Sequence, residues 1–164
     1  MSKYDCSYNR ILEIESESIR ALMDTLDKEV MDQIVDLLCT VKERGRKVIT
    51  AGCGTSGTAA RRIAHTLSVV EVPAFYCSPS NSIHGGMGAI QKDDIVVLLS
   101  KGGNTPEILN YIPVCKKKGA LIIAVTQNNE SALAKGCDIL LNVTVEREPD
   151  IWNMIASGST IAVV

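Results

Sequence analysis

Two short stretches carry the side chains best suited to chemistry. Residues 48–62, VITAGCGTSGTAARR, run from an apolar strand-like segment through a glycine-rich turn into the start of a helix. Gly52, Gly54 and Gly57 fit the G-x-G-x-x-G spacing that can set a dinucleotide pyrophosphate on a helix N-terminus. Residues 95–107, IVVLLSKGGNTPE, repeat the design with Ser100, Lys101, Gly102, Gly103, Asn104 and Thr105 after the strand. Thr105 suits an N-cap, Pro106 the first helical position, and Glu107 adds early negative charge. The hydroxyls of Thr55, Ser56, Ser100 and Thr105 are neutral donors, and each helix start adds backbone N–H groups. Such a set suits one phosphate monoester better than a long dinucleotide. Any one of these Ser or Thr residues alone reads as a plain cap; their recurrence at paired strand ends favours phosphate.

A dinucleotide site has a second requirement, an Asp or Glu about 20 residues on, at the end of the next strand, to hold ribose hydroxyls. Here that strand ends AFYCSPS, and the nearby Glu71 precedes it. No G-x-x-x-x-G-K-[ST] loop occurs either.

The elements that must position these loops follow from hydrophobic periodicity. From residue 47, short apolar runs near 47–51, 73–77, 94–99, 120–125 and 138–143 alternate with helical segments near 57–69, 105–118 and 131–136. This is an α/β series: a doubly wound, five-stranded parallel sheet covered on both faces. In the flavodoxin-like order 2-1-3-4-5, strands one and three adjoin at the switch point, so both loops open into one crevice with two helix N-termini aimed at it. Two amphipathic helices, 9–27 and 29–43, precede the sheet, and their surplus apolar face could serve a partner subunit. Segment 78–92, with Ser80, Asn81, Ser82, His84, Gly85 and Gly86, is polar and glycine-rich rather than a regular crossover helix. His65 lies amid Ile63, Ala64 and Leu67 and reads as packing. Residues 157–164, SGSTIAVV, begin like a capped helix and stop while still apolar, so the natural sequence is expected to continue, with Ile161, Val163 and Val164 exposed or handed to a partner.

Bulk properties bound the rest. A chain of 164 residues with 46% apolar and 22% charged residues has material for one core, hence a single domain of a helical pair (1–46) and an α/β core (47–164). The net charge is −2 and the basic residues are scattered, so a nucleic-acid partner is not expected. No apolar run approaches the roughly 20 residues of a membrane span, so no membrane partner is expected and the expected location is cytoplasmic. Cys6, Cys39, Cys53, Cys77, Cys115 and Cys137 show no metal-type spacing and read as buried reduced thiols. Cys53 differs, because a thiol beside a helix N-terminus should have a lowered pKa.

The segments GCGTSG, SIHGGMG, LLSKGGNTPE and VEREP resemble the SIS (sugar isomerase) domain, in particular the arabinose-5-phosphate isomerase type, over about residues 30–164. Cys53-Gly54-Thr55-Ser56 is also similar to the isomerase half of glucosamine-6-phosphate synthase. The resemblance implies a phosphosugar site at the two loops, a tetramer or dimer with sites at subunit boundaries, and either aldose–ketose isomerisation or sensing of a sugar phosphate. It implies Glu148 as the base of an enediolate mechanism, for which a carboxylate poised near neutral pH is suited. Glu146, two residues away, should point elsewhere. His84 is implied as an acid–base group for ring opening that reaches a neighbouring subunit's site, and Glu107 as a further carboxylate of the second loop. Gly54, Thr55, Ser56, Ser100, Lys101, Gly102, Asn104 and Thr105 are the implied substrate contacts, with Ser157, Ser159 and Thr160 adding to them. No metal and no cofactor is expected.

The chain departs from that type in two places. Thr55 stands where those isomerases carry Lys, and Ser100 to Thr105 replace a Ser-x-Ser-Gly-Glu-Ser loop. Lys101 either restores the missing cation or is a plain exposed lysine. The leading expectation is a phosphosugar isomerase. A non-catalytic regulatory module, favoured by the lost lysine, and lyase or etherase chemistry on an amino-sugar phosphate are the alternatives, and fold alone cannot choose.

Overall fold

The computed structural model of the protein describes residues 8–150, 152–154 and 156–164. Cys6 and the side chain of Ile161 lie outside the described residues.

The strands β1 (Val48–Gly52), β2 (Ala74–Tyr76), β3 (Ile95–Leu99), β4 (Leu121–Thr126) and β5 (Ile139–Asn142) form one parallel sheet in the order β2-β1-β3-β4-β5. The central strands are apolar throughout because each of their faces is covered. Ile49, Ala51, Val96, Leu98, Ile122 and Ala124 pack on one side against Ile108, Tyr111, Cys115 and Leu133. Val48, Ile95, Val97, Leu99 and Ile123 pack on the other against Ala59, Ala60, Ile34 and Val41. Alternate residues of one strand therefore feed two separate cores.

Around the sheet lie α1 (Tyr8–Thr25), α2 (Lys28–Val41), α3 (Gly54–Val69), α4 (Pro79–Ser82), α5 (Pro106–Leu109), α6 (Tyr111–Lys118), α7 (Ala132–Gly136) and α8 (Gly158–Val163). The Asp27 carboxylate caps α2 by accepting from Val30 N–H at 3.1 Å. The single helix expected over 105–118 is broken at Asn110. Pro113 has no N–H for the Leu109 carbonyl, and its ring crowds that carbonyl, so α5 and α6 part there. Segment 78–92 holds only α4 and a short 3₁₀ turn, Gly86–Ala89.

Three expectations are corrected. His65 is exposed on α3 rather than packed. Cys39 is also exposed, whereas Cys77 and Cys115 are buried; these three, Cys53 and Cys137 are free thiols. Val163 is not left exposed but packs partly buried against the α2–α3 side of the core, while Val164 remains outside. The α1 face does keep Leu12, Ile19 and Met23 exposed at 60%, 46% and 71%. Among the described residues no helix is long and apolar enough to cross a membrane.

The glycines of the first loop are set by close approach. A Cβ on Gly52 would stand 2.5 Å from the Ser56 carbonyl oxygen, and one on Gly57 would stand 2.7 Å from that of Gly52. The end of β1 and the first turn of α3 touch backbone to backbone, which needs no ligand to explain it. Gly52→Ala is therefore expected to destabilise the fold by about 1–3 kcal/mol, because the clash is with main chain that cannot rotate away. A lower urea midpoint at unchanged slope is the expected reading.

Candidate active site

The parallel register sets the floor of the site. Gly52 pairs with Leu99, and Leu99 with Val125, so β1, β3 and β4 end level with one another. Cys53, Ser100 and Thr126 follow at the same height. Above them lies a cleft lined by Thr55 and Ser56 from α3, Ser100 and Lys101 from the β3 loop, and Thr126 and Gln127 at the end of β4. Ser159 and Thr160 of α8 close it, over an apolar wall that includes Leu99, Val125 and Val143.

The β3 loop is held by its own side chains. Ser100 Oγ accepts from Gly103 N–H at 3.1 Å and shares a 2.9 Å hydrogen bond with Thr105 Oγ1. Gly103 also donates its N–H to the Ser100 carbonyl at 3.0 Å, with φ at +69° and no room for a Cβ beside Ser131. This tight turn carries residues 104–106 off the cleft. Asn104 Oδ1 accepts from Ala132 N–H at 3.0 Å and tethers α7. The Lys101 carbonyl accepts from Thr126 Oγ1 at 2.9 Å and from Gln127 N–H at 3.2 Å, fastening the loop to β4.

The two helix starts do not meet in this cleft, where the sequence placed them. The first turn of α3 lines the cleft through Thr55 and Ser56, whereas no residue of α5 does. Gly54 and Glu107 instead share a second cavity with Cys53, Arg61 and Tyr76. There the Arg61 guanidinium stacks 4.1 Å from the Tyr76 ring centroid. Gly102 and Thr105 line neither cavity; Thr105 is spent on Ser100. The Cys53 thiol is pushed up by burial and by the Glu107 charge, the reverse of the lowering expected beside a helix start.

Glu148 is the buried charge of the site, with a side chain at 0% exposure. Lys101 Nζ lies 2.5 Å from its Oε1. Ser159 donates its N–H to Oε2 at 3.1 Å and its hydroxyl to Oε1, and Glu148 N–H donates to Asn153 Oδ1 at 2.6 Å. Burial alone would raise this carboxyl. Lys101 and the two Ser159 donors outweigh that effect and hold it below the usual carboxylate range. This differs from a base already poised near neutrality: the lysine read from sequence as a phosphate cation or a free surface charge is bonded to the carboxylate. Glu146 is exposed and borders a separate cavity: strict alternation would set residues 146 and 148 on one face, but the chain bends at Glu146 and leaves both Glu146 and Arg147 exposed before Glu148 is buried.

His84 is exposed, lines neither cavity, and donates its N–H to the Asn81 carbonyl at 3.1 Å. Ser157 is partly buried and does not line the cleft. Among the described residues no three His, Cys, Asp or Glu side chains gather as a metal site would. Sequence reasoning missed Thr126 and Gln127, although β4 adjoins β3 in the expected strand order and its end belongs to the same crevice. Gln127 Oε1 is buried with no hydrogen-bond partner among the described residues.

A family model described as the SIS domain matches residues 42–164. The chain is 34% identical over 154 residues to the arabinose 5-phosphate isomerase KdsD of Pseudomonas aeruginosa, an alignment covering 94% of this chain and 46% of that protein. The chain thus spans about half the length of such curated relatives. A crystal structure of a candidate sugar-phosphate isomerase from Listeria monocytogenes is 41% identical, with a TM-score of 0.92, over 99% of this chain and 85% of that one. An Escherichia coli CFT073 protein solved in complex with arabinose 5-phosphate is 29% identical, with a TM-score of 0.84, over 99% of this chain and 86% of that one.

The buried pair makes a stability prediction. A carboxyl lowered by folding stabilises the protein above its unfolded value of about 4.5, and that contribution is lost as pH falls through the lower folded value. Lys101→Met, which strands the buried carboxylate, is expected to cost about 1–3 kcal/mol at neutral pH, less than a fully buried pair because the lysine is partly exposed. The cost should shrink in acid, where Glu148 protonates; denaturant titrations at pH 7 and pH 3.5 check this.

Proposed function

Because the chain belongs to the SIS domain family, we propose that it is a phosphosugar aldose–ketose isomerase acting through an enediolate, on arabinose 5-phosphate or a related sugar phosphate. The observation that carries this reading is one buried carboxylate, Glu148, bonded to two residues, Lys101 and Ser159, that line a hydroxyl-rich cleft at the strand ends. The relatives named as arabinose 5-phosphate isomerases support the choice of sugar.

In this reading Thr55, Ser56 and Ser100 hold the phosphate with the first-turn N–H groups of α3, and Lys101 supplies the cation. Gly54, Gly102, Asn104 and Thr105 serve the substrate by shaping the two loops. Glu148 takes the proton from C2 of the open-chain aldose, giving the enediolate, and returns it to C1 while a hydroxyl proton moves from O2 to O1. Glu107 and His84 are assigned acid–base duties at ring opening and hydroxyl proton transfer. Since His84 lines neither cavity of its own chain, its duty falls at a neighbouring subunit's cleft. That requires a homo-oligomer, a tetramer or dimer, with sites near subunit boundaries. The exposed Leu12, Ile19 and Met23 of α1 support association. We further propose one SIS-type domain over 1–164 working in the cytoplasm without a cofactor. The low-lying Glu148 carboxyl favours one second reading, a sugar-phosphate sensor that does no chemistry.

Solvent exchange separates them. In D₂O with arabinose 5-phosphate, the chain is expected to form the 2-ketose and to incorporate deuterium at C2 of recovered aldose. Glu148→Gln should lower the exchange rate by about 10²- to 10⁴-fold, the usual contribution of a positioned base. Binding without exchange in the unmutated chain would instead establish the sensor.

A further inference from the structure

A carboxylate held down by a lysine is a poor base, yet Glu148 is the buried carboxylate that adjoins the cleft. Lys101 is the one charged residue among the described residues lining that cleft. Its side chain is one-third exposed and lines the cleft while its Nζ touches Glu148. We propose that Lys101 is an exchangeable cation, which holds the Glu148 carboxylate until a phosphate dianion enters the cleft, then moves to the phosphate and leaves Glu148 able to accept a proton. The inference rests on the sugar-phosphate reading of the cleft.

Three observations support the exchange. A phosphate monoester carries about −1.5 to −2 charges at pH 7 against −1 for the carboxylate, so a single ammonium between them favours the phosphate. Glu148 would not swing away when the lysine leaves, because Ser159 N–H on Oε2, Ser159 Oγ on Oε1 and the Glu148 N–H bond to Asn153 keep it aimed. Among the described residues, Lys101 is the cation that acts on this carboxylate. Arg147 and Glu146 on its own segment are exposed, and with Arg10 and Glu17 of α1 they border a separate cavity. Once Lys101 is engaged elsewhere, burial is left opposed only by the two neutral Ser159 donors, and it moves the carboxyl toward the range where a base works best.

The test is a double-mutant cycle read by ligand affinity. Isothermal titration uses the full chain and D-arabinitol 5-phosphate, which carries the phosphate but has no carbonyl to isomerise, with unphosphorylated arabinitol as control. Glu148→Gln frees Lys101 and is expected to tighten the phosphopolyol about fivefold, an effect that a merely structural loss would not produce. Lys101→Met should weaken it about tenfold, and adding Glu148→Gln in that background should change affinity less than about twofold. In the unmutated chain, whatever the variants' folding, the Glu148 carboxyl carbon-13 resonance should move when the phosphopolyol is added and stay put with arabinitol. Measurable binding with no tightening in Glu148→Gln, tightening that survives in Lys101→Met, or an unmoved resonance overturns the exchange and leaves the sugar-phosphate reading standing. Failure of the unmutated chain to bind the phosphopolyol overturns both.

Discussion

Gly52, Leu99 and Val125 stand side by side across three parallel strands, and the site is built on that register. Parallel strands cannot be joined by tight hairpins, so each leaves the sheet at the same edge through a loop that must turn back over it. Three loops with different sequences are thereby delivered to one place without any direct tie between them in the chain. The cleft's Thr55, Ser100 and Thr126 come from positions far apart in sequence for this reason alone. Two dry cores beneath, fed by alternate side chains of the same strands, keep the edge from shifting.

On that edge the decisive interaction is electrostatic. A carboxylate at 0% exposure is costly unless its oxygens are matched, and Glu148 is matched by a lysine from the β3 loop and two donors from α8. The pair therefore does structural duty, since it ties the end of the chain to the centre of the sheet. It also sets the protonation behaviour of the carboxyl. In a member of the SIS domain family, both duties bear on the same atom, the oxygen proposed to move a proton.

Much of the fold could be read from the chain. Strand positions and the two leading helices follow from periodicity, and the match is within a few residues because buried parallel strands are written as unbroken apolar runs; the strand order found is the flavodoxin-like one expected of a doubly wound sheet. The break at Asn110 was equally present as Pro113, but a proline inside an otherwise helical pattern is easily read through. The candidate site was legible only in part. The hydroxyl-bearing loops announce themselves, while Thr126 and Gln127 look like an ordinary strand end until the order of strands is applied to them.

What the sequence alone determined is local: which segments are strands, where glycine must stand, and which side chains carry hydroxyls or charge. Such features depend on neighbours within a few residues, whose steric and hydrogen-bonding preferences are fixed by residue type. Only the tertiary structure decided partnership. Lys101 could have reached for solvent or cleft, and Thr105 for its own helix; they turned to Glu148 and to Ser100. Glu107 was carried to a different cavity from the hydroxyls it follows in the chain. Those outcomes rest on burial and on which charge or donor lies within about 3 Å across the fold, quantities no linear spacing encodes.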